Sequence, residues 1–228
     1  MGGNAGTVDA TPAGTSVDSY ADLPYPGRRP SHAFLQDEGR VLQLVRQSDR
    51  SWGFLHRVGA LDDWLAGRSH AALRRRLPLL CYGSNACPSK VQDLRERHGL
   101  TGPVVMTPCT VSGLGAAWCA GERVVDRSVP ATLVAAEGSE DHFLWWVAPE
   151  QWAALDRCEG KGERYDLVGV PASHVRDDLG LEVPHVLAYV GRARPRQPML
   201  DARGRPLLVR HLDQQGARRA LLARRAQP

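Results

Sequence analysis

Large apolar side chains enter this chain unevenly. Residues 1–30 are mostly Gly, Ala, Thr, Ser, Asp and Pro. A segment of that composition cannot offset its ordering entropy, which predicts a disordered arm that tightens only near Tyr20 to Pro30. From Phe34 to Arg76 the pattern changes. Val41, Leu42, Leu44 and Val45 fall at helical spacing, as do Phe54, Leu55, Val58, Leu61, Trp64 and Leu65. Apolar residues three and four apart predict amphipathic helices, hence a helical extension over residues 31–76, with Ala71–Arg76 closing it before Pro78.

The pattern is clearest over residues 77–192. Leu79-Leu80-Cys81-Tyr82 is a short apolar run that ends at Gly83-Ser84-Asn85, and Pro88 opens a helix over Ser89–His98 that Gly99 stops. Pro suits the first helical turn, Ser or Asn before it can cap free amides, and Gly suits the stop. Strand-like runs follow at Val104–Val111, Ala131–Ala135, Phe143–Val147, Tyr165–Val170 and Val183–Val190, with one helix, Pro149–Cys158, between the third and fourth. Residues 193–228 form a basic C-terminal extension, in which Pro206–His211 reads as a strand and Gln214–Arg225 as a short helix. This order is α+β, without the regular alternation of a doubly wound sheet.

Composition narrows the function classes. With 43% hydrophobic and 24% charged residues, the chain resembles an average globular protein and can bury a core. No run approaches the roughly eighteen apolar residues of a membrane-spanning helix, so no membrane role is expected. The start, MGGNAGTVDATPAGTS, has neither the basic opening nor the apolar centre of a secretory signal, and the expected location is cytoplasmic. Net charge is +4, but Lys90 and Lys161 are the two lysines among 29 basic residues, and the arginines are spread among 25 acidic residues. A nucleic-acid binder concentrates its charge on a stripe, so no nucleic-acid partner is expected. Arg218-Arg219 and Arg224-Arg225 read as a solvated helix face. The five cysteines contain no C-x-x-C pair, and the eight histidines no H-x-x-x-H. The expectation is therefore reduced, mostly buried thiols and no metal.

Two motifs carry chemistry. In Tyr82-Gly83-Ser84-Asn85, a strand ends in Gly and turns into a helix, which leaves backbone N–H groups unpaired and favours an anion. The tetrapeptide matches neither a phosphate-binding loop nor a G-x-S-x-G nucleophile elbow. By itself it reads more simply as an ordinary strand–turn–helix cap. In Leu155-Asp156-Arg157-Cys158-Glu159-Gly160, Asp156 and Arg157 are expected on the helix surface. Glu159 falls at a helix end, where the dipole is already negative and a carboxylate is locally unfavourable. Such a residue is a candidate for chemistry, although a solvated surface Glu has the same signature. Cys158 beside it reads as core, because a thiolate is disfavoured at that end.

Together, Tyr82-Gly83-Ser84-Asn85 and Leu155-Asp156-x-x-Glu159-Gly160 with Tyr165 following resemble the γ-glutamylcyclotransferase-like (AIG2-like) family across residues 77–192. The resemblance implies a small mixed β-barrel with packed helices. It implies cleavage of a γ-glutamyl amine or peptide without water, in which the substrate's own α-amine attacks its γ-carbonyl to give 5-oxoproline and a free amine. Glu159 would be the acid/base, Tyr82, Gly83, Ser84 and Asn85 would hold the α-amino-acid end, and Tyr165 would line the pocket. No cofactor is implied, and the partner is a small γ-glutamyl molecule. A non-catalytic module of the same fold that binds a small metabolite is the alternative. The chain departs from the family pattern at Cys81 and at Ala86-Cys87-Pro88.

Overall fold

The computed structural model describes residues 14–226. In chain order the strands and helices are β1 (Thr15–Ser16), β2 (Phe34–Asp37), β3 (Arg40–Arg46), β4 (Trp52–Phe54), β5 (Arg57–Ala60), α1 (Leu61–Ala66), β6 (Leu77–Cys81), α2 (Pro88–His98), β7 (Val104–Trp118), β8 (Ala131–Val147), α3 (Trp152–Glu159), β9 (Tyr165–Val170), β10 (Val175–Asp177), β11 (Val186–Gly191) and α4 (Gln214–Arg225). The main sheet runs β5-β4-β3-β2-β7-β8-β6-β11-β9, with β1 on β3 and β10 on β7. This is an α+β fold. Among the described residues no pairing joins the two ends of the path, so the expected barrel closure is not found.

The helical extension expected over residues 31–76 is corrected. Four strands occupy its first two thirds, and its one α-helix is the six-residue α1. The physical reason lies in β3, where Val41 packs in one core cluster while Leu42 and Leu44 pack in another. A strand buried on both faces loses its polar/apolar alternation, and the resulting run mimics a helical stripe. A hairpin signal was present at Glu38-Gly39. Both residues have positive φ, 42° and 74°, between the paired Asp37 and Arg40, as a two-residue turn that matches strand twist requires. The second apolar stripe joins Phe54 of β4 to Leu61, Trp64 and Leu65 of α1 in one cluster, so its helical spacing crosses three elements, β4, β5 and α1.

The expected disordered arm is corrected for residues 14–19, where β1 and a 3-10 turn form, while Tyr20 to Pro30 is the stretch expected to tighten and residues 1–13 lie outside the described residues. Val17 and Tyr25 are buried, and Ser89 Oγ donates to the Val17 carbonyl at 2.9 Å. The runs Ala131–Ala135 and Phe143–Val147 prove to be parts of the continuous β8, which pairs with β7 along nearly its whole length. Ser139–His142 between them stay in the β7 ladder, and the register shifts at residues 136–138. The helix Gln214–Arg225 forms as predicted, and Ala217 and Leu221 bury against Trp118 and Met199. Pro206–His211 makes isolated bridges and one 3-10 turn instead of a strand.

The main core lies between β6, β8 and the pair α2 and α3. Val91 and Leu94 of α2 and Leu155 of α3 are fully buried against Leu79, Trp145 and Val147. Each such leucine contributes roughly 1.5–3 kcal/mol relative to exposure. Trp145 and Trp146 face opposite sides of β8, as strand alternation predicts, and each indole N–H is paired: Trp145 with Gln151 Oε1 at 3.1 Å, Trp146 with Thr107 Oγ1 at 2.9 Å.

Candidate functional site

β6 brings the first motif to the edge of a cavity of about 310 Å³. A 3-10 turn, Ser84–Ala86, separates β6 from α2, so neither Ser84 nor Asn85 caps the helix. The N-cap is Cys87, with no side-chain cap bond, and this corrects the simple strand–turn–cap reading. Released from capping, Asn85 turns toward the second motif. Its Nδ2 donates to Glu159 Oε1 at 2.8 Å, across 74 residues of sequence.

The end of α3 explains why Glu159 sits there. Gly160 adopts the left-handed conformation (φ 62°), its N–H bonds to the Arg157 carbonyl, and the Lys161 N–H bonds to the Asp156 carbonyl at 3.0 Å. These paired bonds are a Schellman stop, which needs a residue tolerant of positive φ. The helix start is held by Gln151, fully buried. Its amide accepts from Trp145 Nε1 and the Ala148 N–H and donates to the Thr101 and Pro103 carbonyls, all at 3.1 Å. Asp156 is half-buried rather than a plain surface residue. It accepts from the Tyr189 hydroxyl at 2.6 Å and from Lys161 Nζ at 3.0 Å, tying the C-terminal end of α3 to β11 and to the following turn.

Tyr82, Gly83, Ser84, Asn85, Glu159 and Tyr165 all line this one cavity. Tyr82 donates to the Tyr189 carbonyl, and Tyr165 donates to the Ala131 carbonyl at 3.3 Å. The structure adds two tyrosines that the sequence reading missed, Tyr25 and Tyr189. Burial pushes all four phenols above their ordinary range, with the charge of Glu159 adding to the effect. The wall facing Glu159 is therefore built of neutral hydroxyls. Tyr189 lies on a strand identified from the sequence, but nothing local marked it as a pocket residue. Tyr25 had one signal, an aromatic between Pro24 and Pro26 in a segment otherwise poor in large side chains.

Cationic groups outnumber anionic ones around the cavity. Lys90, Arg97, Arg123, Arg164 and Arg196 line it against Asp93 and Glu159. Asp93 is shared by Lys90 at 2.8 Å and by Arg97. Such a field suits a ligand that carries a carboxylate. Cys158 also lines the cavity, and burial followed by the adjacent Glu159 pushes its thiol up to about 11, which disfavours the thiolate a nucleophile needs. Among the described residues, no three His, Cys, Asp or Glu side chains converge as a metal site, and no helix is long and apolar enough to cross a membrane.

Fold and site thus define a mixed α+β protein with Glu159 set into a tyrosine-walled, cation-rimmed cavity. No protein-family model matches the chain. No curated protein matches it either. Among solved structures it is similar to an uncharacterised protein from Homo sapiens, at 15% identity and TM-score 0.42, over 52% of this chain and 68% of the other. It is similar to a gamma-glutamyl cyclotransferase at 16% identity and TM-score 0.39, over 51% and 66% of the two chains. It is also similar to YkqA from Bacillus subtilis at 11% identity and TM-score 0.41, over 87% and 72%.

Proposed function

We propose that this protein is a γ-glutamylcyclotransferase-type enzyme, converting a γ-glutamyl amine or peptide into 5-oxoproline and a free amine. The observation that carries this reading is the 2.8 Å hydrogen bond between Asn85 and Glu159 at a single cavity. Two motifs that each have an ordinary structural explanation meet at the one place where the reaction needs both.

The chemistry follows from the groups present. The cationic rim and the Tyr82–Asn85 turn receive the α-carboxylate and place the α-amine near its own γ-carbonyl. Glu159 takes a proton from the α-ammonium. The freed amine attacks the γ-carbonyl carbon, a C–N bond forms, and the π pair moves onto oxygen. When that pair returns, the bond to the leaving nitrogen breaks and Glu159 gives its proton to that nitrogen. The ring nitrogen loses its second proton to solvent, and the departing amine takes one up there. General acid/base help of this kind is worth about 10²–10⁴ in rate. Holding the two ends of one molecule in an attack pose supplies much of the rest, since ring closure is intramolecular. Asn85 orients the carboxylate and leaves its second oxygen for the proton.

The test is 5-oxoproline release from a panel of γ-glutamyl dipeptides and γ-glutamylamines by the purified chain. Product from the wild type and none from Glu159→Gln is expected. A ligand-induced rise in Tm without product from any member would instead favour the non-catalytic binding module.

A further inference from the structure

The segment before β2 has no counterpart in either motif, yet it completes the cavity. It is fastened at two points: β1 pairs with β3, and Ser89 of α2 donates to the carbonyls of Val17 and Tyr20. Between these fastenings and β2 the chain buries Tyr25 to 6% exposure, its ring tilted on Trp118 at 5.9 Å with the Arg123 guanidinium over it at 5.9 Å. The phenolic oxygen accepts the Ala131 N–H at 3.1 Å. Among the described residues none accepts the hydroxyl proton. Tyr25 lines the cavity, so its hydroxyl proton is available to an acceptor bound there. The oxygen also stands against the strand–turn junction, where a Cβ on Gly83 would collide with it.

We propose that Tyr25 is a catalytic residue, donating a hydrogen bond to the γ-carbonyl oxygen of the substrate as that oxygen becomes an oxyanion. The inference rests on the cyclotransferase reading above and adds a group from outside both motifs. Tyr25 gives up no proton in this role. It holds the electron pair that the attacking amine displaces onto oxygen and releases it when the C–N bond to the leaving amine breaks. A neutral phenol fixed by Trp118, Arg123 and the Ala131 N–H gains most where charge develops, so its contribution falls in the transition state. Burial keeps it protonated for this purpose. The α-carboxylate is already charged in the ground state, and a donor serving it would act on KM instead.

The experiment measures kcat and KM separately for full-length wild type and Tyr25→Phe, on whichever panel member the wild type converts. The expected result is a fall in kcat of about 10²–10³-fold with KM within about twofold of wild type. A kcat within about threefold of wild type, or a raised KM with kcat retained, overturns the proposal. Trp118→Phe is run alongside, because it loosens the packing of Tyr25 without removing the hydroxyl. A kcat loss there as large as in Tyr25→Phe assigns the effect to packing and also overturns it. If the wild type converts no panel member, the cyclotransferase reading fails and this inference falls with it. A wild type that turns over beside an undiminished Tyr25→Phe sinks this inference alone.

Discussion

Helices α2 and α3 lie side by side and both stop at a left-handed glycine, yet their final residues differ in charge. The last turn of α2 carries Arg95, Arg97 and His98 before Gly99 at φ 67°. The last turn of α3 carries Arg157 but ends in Glu159 before Gly160 at φ 62°. The partial negative charge at a helix C-terminus favours the first arrangement and disfavours the second by about 0.3–1 kcal/mol. α2 therefore ends as stability alone would have it. α3 does not, and Glu159 is instead paired with the Asn85 amide in a cavity walled by four tyrosines and rimmed by cations.

The largest effect should come from removing the charge that distinguishes the two ends. Glu159→Gln is expected to lower 5-oxoproline formation by at least about 10²-fold. Its Oε1 can still accept from Asn85, and the misfit charge is gone, so Tm should stay level or rise slightly. Activity retained in this variant would mean that the contrast between the helix ends has no bearing on chemistry. Next in size is Gln151→Leu at the opposite end of α3. It strands the Trp145 and Ala148 N–H groups and two carbonyls in the core, at an expected cost of about 3 kcal/mol in urea unfolding. A much smaller loss would show that α3 is held by apolar packing alone.

Asn85→Ala is the intermediate case, because it leaves the charge of Glu159 in place but removes its orienting donor. A loss of about tenfold in kcat/KM is expected, with little change in stability, since charge-assisted hydrogen bonds contribute net energies of that order. An unchanged kcat/KM would separate the two motifs again and take away the observation on which the functional reading rests.

The helix ends were legible because their signals are local. Pro88, Gly99, Gly160 and the runs around Leu79 and Leu155 announce helix starts, stops and core faces within a few residues. The site motifs at Tyr82–Asn85 and Glu159 were legible for the same reason. Their meeting was not, because the Asn85–Glu159 bond depends on how β6, α2 and α3 pack. The N-terminal strands were misread at the level of period. Val41, Leu42 and Leu44 serve two cores from one strand, and only the sheet context shows it. Tyr25 failed in yet another way. Composition describes residues 1–30 as a whole, whereas Val17, Tyr25 and the fastening by Ser89 are single contacts against distant elements.

The smallest effects test the shared part of the comparison, the glycine stops. Gly99→Ala and Gly160→Ala each force a Cβ into the left-handed region, at about 1–2 kcal/mol by itself. At Gly99 the nearest group to the new Cβ is the tip of Arg157 at 3.9 Å, which is open space in practice. At Gly160 the Cβ meets the Arg164 guanidinium at 2.7 Å, and that side chain is held by a 2.7 Å bond to the Cys158 carbonyl. The Gly160 variant should therefore be the less stable of the two by a few tenths of a kcal/mol in paired urea titrations, and it should also lose activity, because Arg164 lines the cavity. Asn at either position should restore part of the stability, as its side chain tolerates the left-handed conformation. If Gly160→Asn recovers stability but not activity, the turn after α3 serves the site through the position of Arg164. If it recovers both, the two glycines do the same work and the helix ends differ only in the charge they carry.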